Sequence, residues 1–443
     1  MTKTLLAALC VGATLSAWGA TDQASPAARG EYIARAGDCI ACHTVKGGQP
    51  FAGGLPLATP IGMIYSTNIT PDATTGIGSY SFEAFEKAVR RGIRKDGATL
   101  YPAMPFPSYA RITDDDMHAL YAYFMTGVKA VNQPNRDVDI PWPLSMRSPL
   151  ASWRWLFAPD KTGPSPVTTD DPVLQRGAYL VEGLGHCGTC HTPRAISLQE
   201  KALTNAEGDE FLSGGAPIEG WIAKDLRGSP VTGLGRWSEQ DIVQFLKSGR
   251  NEHTAVFGGM SEVVDHSLQH LTDADLTAIA RYLKTVPPRA GEATVAGNDD
   301  GGVTRKLHDL LPDSLGARVY ADSCMACHRS NGAGYAQTFP SLAGNTVLND
   351  HAADSVIKIV LTGYTVPATK TAVTEYTMPG FGWRLADDEV AAVVTFVRQS
   401  WGNTGKVVTA EEVASVRKTV APEDMQAPNM SVHDGAVQKR FSK

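Results

Sequence analysis

The sequence predicts a mostly α-helical chain built from three tandem modules joined by long loops. Two observations carry that prediction. A Cys-x-x-Cys-His motif occurs three times, as CIACH, CGTCH and CMACH, at Cys39–His43, Cys187–His191 and Cys324–His328. Similar surroundings recur about each copy, which is the mark of a repeated structural unit. Length agrees: 443 residues amount to roughly three domains at about 150 residues each.

Each module opens with an aromatic-bearing helical lead-in: ARGEYIARAGDC, QRGAYLVEGLGHC and LGARVYADSC. A Gly-rich segment follows the first two motifs, and YAQTFPSLAGN holds the same place in the third. Each module closes on a helical pattern opened by acids: RITDDDMHALYAYFMTG, HLTDADLTAIARYLKTV and RLADDEVAAVVTFVRQSWG. Thr113 with Asp116, and Thr272 with Asp275, match an N-terminal cap, and the early acids suit the positive end of a helix dipole. Leu276, Ile279, Ala280 and Leu283 then recur three and four residues apart, as a buried helix face requires. The aromatics Tyr121, Tyr282 and Phe396 are expected in equivalent core positions.

The expected order is therefore a leader at 1–20, modules at 21–135, 171–287 and 307–403, a strap at 136–170, a linker at 288–306 and a tail at 404–443. The strap holds three Trp and many Pro, which predicts a packed, extended segment. The linker reads as looser. The tail turns polar and weakly patterned, which predicts an extended segment lying on a neighbouring surface. At the N-terminus, Lys3, the apolar run Leu5–Trp18 and the small residues Ala17, Gly19 and Ala20 read as a secretory signal peptide cut near Gly19 or Ala20. The run is short for a membrane-spanning helix, and no later segment has the length of one. The expected location is the periplasm, peripheral on the outer face of the inner membrane. A net charge of −6 argues against nucleic acid as a partner.

Seven cysteines occur, and Cys10 falls within the leader. The other six fall in pairs two residues apart, each followed by His. That is the attachment signature of c-type haem: two thiols add to the vinyl groups, and the adjacent imidazole reaches the iron. Zinc sites draw four ligands from two such pairs, so three pairs would leave one unmatched. A redox dithiol or a disulfide has no need of the trailing His. Three covalently bound haems c are thus expected, on Cys39, Cys42, Cys187, Cys190, Cys324 and Cys327, with His43, His191 and His328 as proximal ligands. Each module also holds a Met between motif and closing helix: Met104 in AMPFP, Met260 in GGMSE and Met378 in TMPGF. A thioether sixth ligand raises the potential and suits an electron carrier, although a Met is also an ordinary core filler. His253, His266 and His270 near Met260 read as surface residues, and Met117 and Met125 as core. Six-coordinate irons leave no site for substrate, and no catalytic constellation is evident elsewhere.

With these residues in view, the chain resembles the triple-haem cytochrome c subunits of bacterial membrane-bound alcohol, gluconate, sorbitol and fructose dehydrogenases. The likeness covers nearly all of the chain after the leader. Its most specific stretches are IYSTNITPDATTGIGSYSFEAFEKAVRRGIRKDGATLYPAMPFPSY, the PWPL and WRWLF parts of the strap, IVLTGYT and FVRQSWGN. The resemblance implies three tandem class I-type cytochrome c domains, with Met104, Met260 and Met378 as the axial partners of His43, His191 and His328. It implies a non-catalytic subunit that takes electrons from a flavin- or PQQ-containing dehydrogenase and passes them to ubiquinone or a terminal oxidase. The polar tail departs from members that attach to the membrane through a C-terminal segment. A stand-alone haem enzyme, such as a peroxidase or a sulfur-compound dehydrogenase, and an unattached electron shuttle are the competing functions.

Overall fold

The structure, a computed structural model, describes residues 25–426 apart from 161–162, 164–168, 293–296, 298 and 300. The leader, and the part of the tail beyond 426, lie outside the described residues. Helices dominate; the paired strands are two short antiparallel hairpins, Pro56–Thr59 with Gly62–Tyr65 and Gly363–Val366 with Tyr376–Pro379.

One packing motif is used three times. The lead-in helices Pro26–Ala36, Pro172–Ala178 and Leu315–Ser323 start at Ser25, Asp171 and Ser314, whose side chains accept from the first-turn amides. The closing helices are Asp114–Ala122, Asp273–Thr285 and Asp387–Gln399. Thr113 and Thr272 cap the first two at 3.2 Å from the amides of Asp116 and Asp275. At the third, Ala386 has no hydroxyl, and Glu389 instead reaches back to the Ala386 amide at 3.0 Å. Lead-in and closing helix cross in contact within each module. A glycine stands at every crossing: a Cβ at Gly30, Gly177 or Gly316 would overlap the carbonyl of Ala119, Ala278 or Ala392 and crowd the Cβ of Tyr123, Tyr282 or Phe396.

That register corrects one expectation. Tyr123, not Tyr121, is the equivalent of Tyr282 and Phe396, each ten residues after the capping position. Tyr121 faces the next helix, Phe82–Arg91, packing on Phe82 and Phe85 and donating to the Tyr80 carbonyl at 3.0 Å. Leu276, Ile279, Ala280 and Leu283 are all buried, as the spacing requires. Met117 is fully buried, whereas Met125 is only half-buried.

Modules one and two share one hydrophobic core, and module three has its own. The first two also exchange polar contacts. Arg29 holds Asp116 with bonds of 2.7 and 3.0 Å, and Tyr179 of module two donates to the same carboxylate at 2.7 Å. Arg176 holds Asp275 at 2.7 and 2.8 Å, and Tyr32 of module one donates to it at 2.6 Å. Burial of a carboxylate is tolerated when it is paired and hydrogen-bonded in this way. Burial, then Asp275, pushes the Tyr32 hydroxyl up to about 12, so it remains a donor at physiological pH.

Strap and tail both differ from expectation. The strap is not simply extended: Ser148–Phe157 is a helix with Pro149 in its first turn, where a missing amide costs nothing. Trp153 is anchored on the Ser197 carbonyl and on Phe106, but Trp142 and Trp155 are each 80% exposed. The tail is not extended over its described part either. Thr409 and Glu412 form a capping box that opens the helix Ala410–Thr419. Val413 and Val416 then insert into the core of module three, and Arg417 binds Asp387 at 2.7 Å. Two apolar residues three apart suffice to dock a short helix once a core is there to receive them. No helix among the described residues is long and apolar enough to cross a membrane.

Candidate haem sites

The motif spacing acquires its meaning from local helix geometry. Cys39–His43, Gly188–His191 and Met325–His328 are single helical turns. His191 donates its amide to the Cys187 carbonyl at 3.0 Å, and His328 does so to Cys324 at 2.9 Å. Residues three and four apart share a helix face, so the first cysteine of each motif is presented on the same side as the second cysteine and as the histidine. Among the described residues, none of the six cysteines is paired in a disulfide. Among the described residues, no cluster of three or more His, Cys, Asp or Glu is arranged to hold a metal ion, as zinc would need.

Each motif imidazole is oriented in the same manner. His43 Nδ1 lies 2.7 Å from the Thr67 carbonyl, His191 Nδ1 2.7 Å from that of Lys224, and His328 Nδ1 3.0 Å from that of Pro340. A carbonyl only accepts, so Nδ1 carries the proton and the Nε2 lone pair is left available to a metal. Burial holds all three imidazoles below the usual histidine range, against the opposing pull of these carbonyls. A neutral imidazole with a free Nε2 is the form that binds a metal. These carbonyls were not legible in the sequence, because any residue type supplies one.

In module three the proposed ligands converge. Cys324, Cys327, His328 and Met378 line one cavity of about 210 Å³ whose other walls are largely apolar. That donor set and that lining fit a haem. Thr254, Ala255, Val256 and Phe257 of module two complete its wall. Met378 lies on a strand, opposite Tyr364 in the hairpin, rather than in an irregular loop. Met104 sits in the turn before the short helix Phe106–Tyr109, and Met260 in the first turn of the helix Gly259–His266. Both pack against the shared core of modules one and two, as do Cys39 and Cys187. His253 stacks on Trp237, and His266 and His270 are partly exposed beside Asp265.

The first two motifs abut. The Gly37 carbonyl, two residues before Cys39, accepts from the Tyr109 hydroxyl at 2.7 Å and lies 3.3 Å from His186 Nε2, next to Cys187.

Comparison with known proteins agrees with this reading. The cytochrome c family model matches residues 27–127 and 314–401. The gluconate 2-dehydrogenase cytochrome c subunit of Pantoea cypripedii is 59% identical over 423 residues, covering 94% of this chain and 96% of that protein. The cytochrome c subunit of the quinone alcohol dehydrogenase of Gluconobacter oxydans is 52% identical, covering 91% of this chain and 84% of its own. The fructose dehydrogenase cytochrome subunit of Gluconobacter japonicus is 41% identical over 88% of this chain and 82% of its own. The chain belongs to this family of cytochrome c subunits of dehydrogenase complexes, non-catalytic proteins that bind haem c covalently and transfer electrons.

Proposed function

We propose that this chain carries three haems c and relays electrons from a periplasmic dehydrogenase with a flavin or PQQ cofactor to ubiquinone or a terminal oxidase. The single observation that carries the count is the threefold recurrence of Cys-x-x-Cys-His with its imidazole Nδ1 on a backbone carbonyl. Haem c supplies the one-electron chemistry. Cys39 and Cys42, Cys187 and Cys190, and Cys324 and Cys327 would hold it by thioethers. His43 with Met104, His191 with Met260, and His328 with Met378 would close each iron to outside ligands. Thr67, Lys224 and Pro340 keep the imidazoles oriented, and the apolar walls of the third cavity exclude water there, which favours a potential fit for accepting electrons.

The oxidised substrate in this reading is an alcohol, a sugar or a sugar acid, after the enzymes named for the relatives. The apolar stretch Leu5–Trp18 supports export to the periplasm, with peripheral attachment at the outer face of the inner membrane. Closed irons disfavour the peroxidase alternative.

Intact mass of the purified protein tests the count: three covalent haems are expected, and fewer would refute it. Replacing Cys39 and Cys42 together by Ser is expected to remove one haem and leave two. Met104→Ala is expected to lower one of three potentials, by a fraction of the roughly 0.8 V that axial ligation spans, and to let carbon monoxide bind that iron. An unchanged titration would exclude Met104 as ligand. Co-expression with a flavin or PQQ dehydrogenase tests the partner, by co-purification and by reduction of the haems on adding substrate.

A further inference from the structure

We propose that Tyr364 of module three is a positioning residue for the sixth ligand of the second haem, coupling that site to the third. This rests on Met260 and Met378 being axial ligands. Tyr364 stands opposite Met378 in the hairpin register, and it lines the cavity shared by Cys324, Cys327 and His328. Its hydroxyl leaves module three. It bonds the Ser261 hydroxyl at 2.7 Å and donates to the Gly258 carbonyl at 3.4 Å. Gly258 and Ser261 bracket Met260, so one side chain ties the segment bearing that thioether to the strand pair bearing the other.

The surroundings make the tie stiff. Ser261 is buried. The Trp221 ring lies edge-on to Tyr364, with centroids 5.5 Å apart, and a Cβ at Gly258, whose φ is +59°, would overlap that ring. The Lys358 ammonium covers Trp221 at 4.4 Å and donates to the Glu219 carbonyl at 2.8 Å. On the other side, the segment 254–257, just before Gly258, walls the third cavity. The stretch 254–261 therefore touches both sites, and the Tyr364 hydroxyl is the polar bond that fixes its helical end. A thioether binds haem iron weakly enough that the position of its segment decides how much of the iron is six-coordinate.

Tyr364→Phe removes the hydroxyl and keeps the ring. The test is a redox titration of the full-length holoprotein, with the red charge-transfer band of Met-ligated ferric haem and carbon monoxide uptake by the reduced form as readouts. Met260→Ala is measured in parallel, and is expected to abolish one third of the band and open one haem of three. Tyr364→Phe is expected to move that same component: a lower potential, partial loss of its share of the band, and partial carbon monoxide uptake. A Tyr364→Phe protein that titrates like the parent overturns the inference even if it melts earlier, because a purely structural bond would alter melting alone. If Met260→Ala opens a haem and Tyr364→Phe does not, the inference falls and the ligand assignment stands. If Met260→Ala leaves all three haems closed, the ligand assignment fails and the inference with it.

Discussion

Modules one and two meet through equivalent residues, whereas module three joins module two through residues that have no counterpart across the seam. Arg29 and Arg176, Tyr32 and Tyr179, and Asp116 and Asp275 occupy matching positions, and each tyrosine crosses to the other module's carboxylate. In module three the same positions hold Leu315, Arg318 and Glu389, and the first two are exposed. Its seam with module two uses Arg250 donating to the carbonyls of Pro367, Ala372 and Thr374, Lys224 to Thr346, and the Ile222 amide to Ser355. A repeat thus makes two kinds of interface. The first is self-complementary, like the contact between two copies in a symmetric dimer, and it fuses two cores into one. The second leaves two cores separate.

The sharpest way to break this contrast is at the helix crossings. Gly177→Val is expected to destabilise modules one and two together, by about 3 kcal/mol or more, because overpacking at a rigid backbone contact has nowhere to relax. Gly316→Val is expected to unfold module three and leave the other two folded. Calorimetry distinguishes these as loss of different transitions; a single transition lost in both variants would show that all three modules unfold as one. Next in size, Arg176→Leu strips the buried Asp275 of its cation and is expected to cost about 3 kcal/mol in the transition of the pair. Arg318→Leu, on the exposed equivalent face, is expected to change stability by less than about 0.5 kcal/mol.

Tyr179→Phe removes one crossed hydrogen bond to a carboxylate and is expected to cost about 1.5 kcal/mol, again only in the pair, as urea unfolding would show. The smallest effect is on pH. Burial raises the Asp275 carboxyl, but the bonds from Arg176 and Tyr32 outweigh it and hold it below its usual value. Its contribution is therefore complete above about pH 4, the unfolded value, and is lost as pH falls through the folded one. Urea unfolding of the pair is expected to weaken on acidification, and less so in Asp275→Asn.

Much of this was legible residue by residue. Thr113, Asp116, Thr272 and Asp275 announced their helices because a cap is a local hydrogen bond. The single helical turn at each Cys-x-x-Cys-His motif was legible because the spacing is itself the geometry of one turn. Tyr121 was misread for Tyr123, since two aromatics two apart are ambiguous until the crossing glycine fixes which one meets it. The lead-in glycines were a partial signal: Gly30, Gly177 and Gly316 all precede their motifs, but at nine, ten and eight residues, so their equivalence shows only at the helix crossing. The helix at 410–419 was missed because its own pattern is short and its stability comes from a groove that other elements build.

By itself, then, the sequence determined the cytochrome c character, the capped helices and the mainly helical nature of the chain, because each rests on contacts within a few residues. Tertiary structure alone decided which carbonyls orient His43, His191 and His328, which modules share a core, and that Tyr364 of the third module reaches Ser261 of the second. Those depend on segments far apart in the chain, 103 residues for Tyr364 and Ser261 and 243 for Tyr32 and Asp275, brought together by burial that no local pattern records.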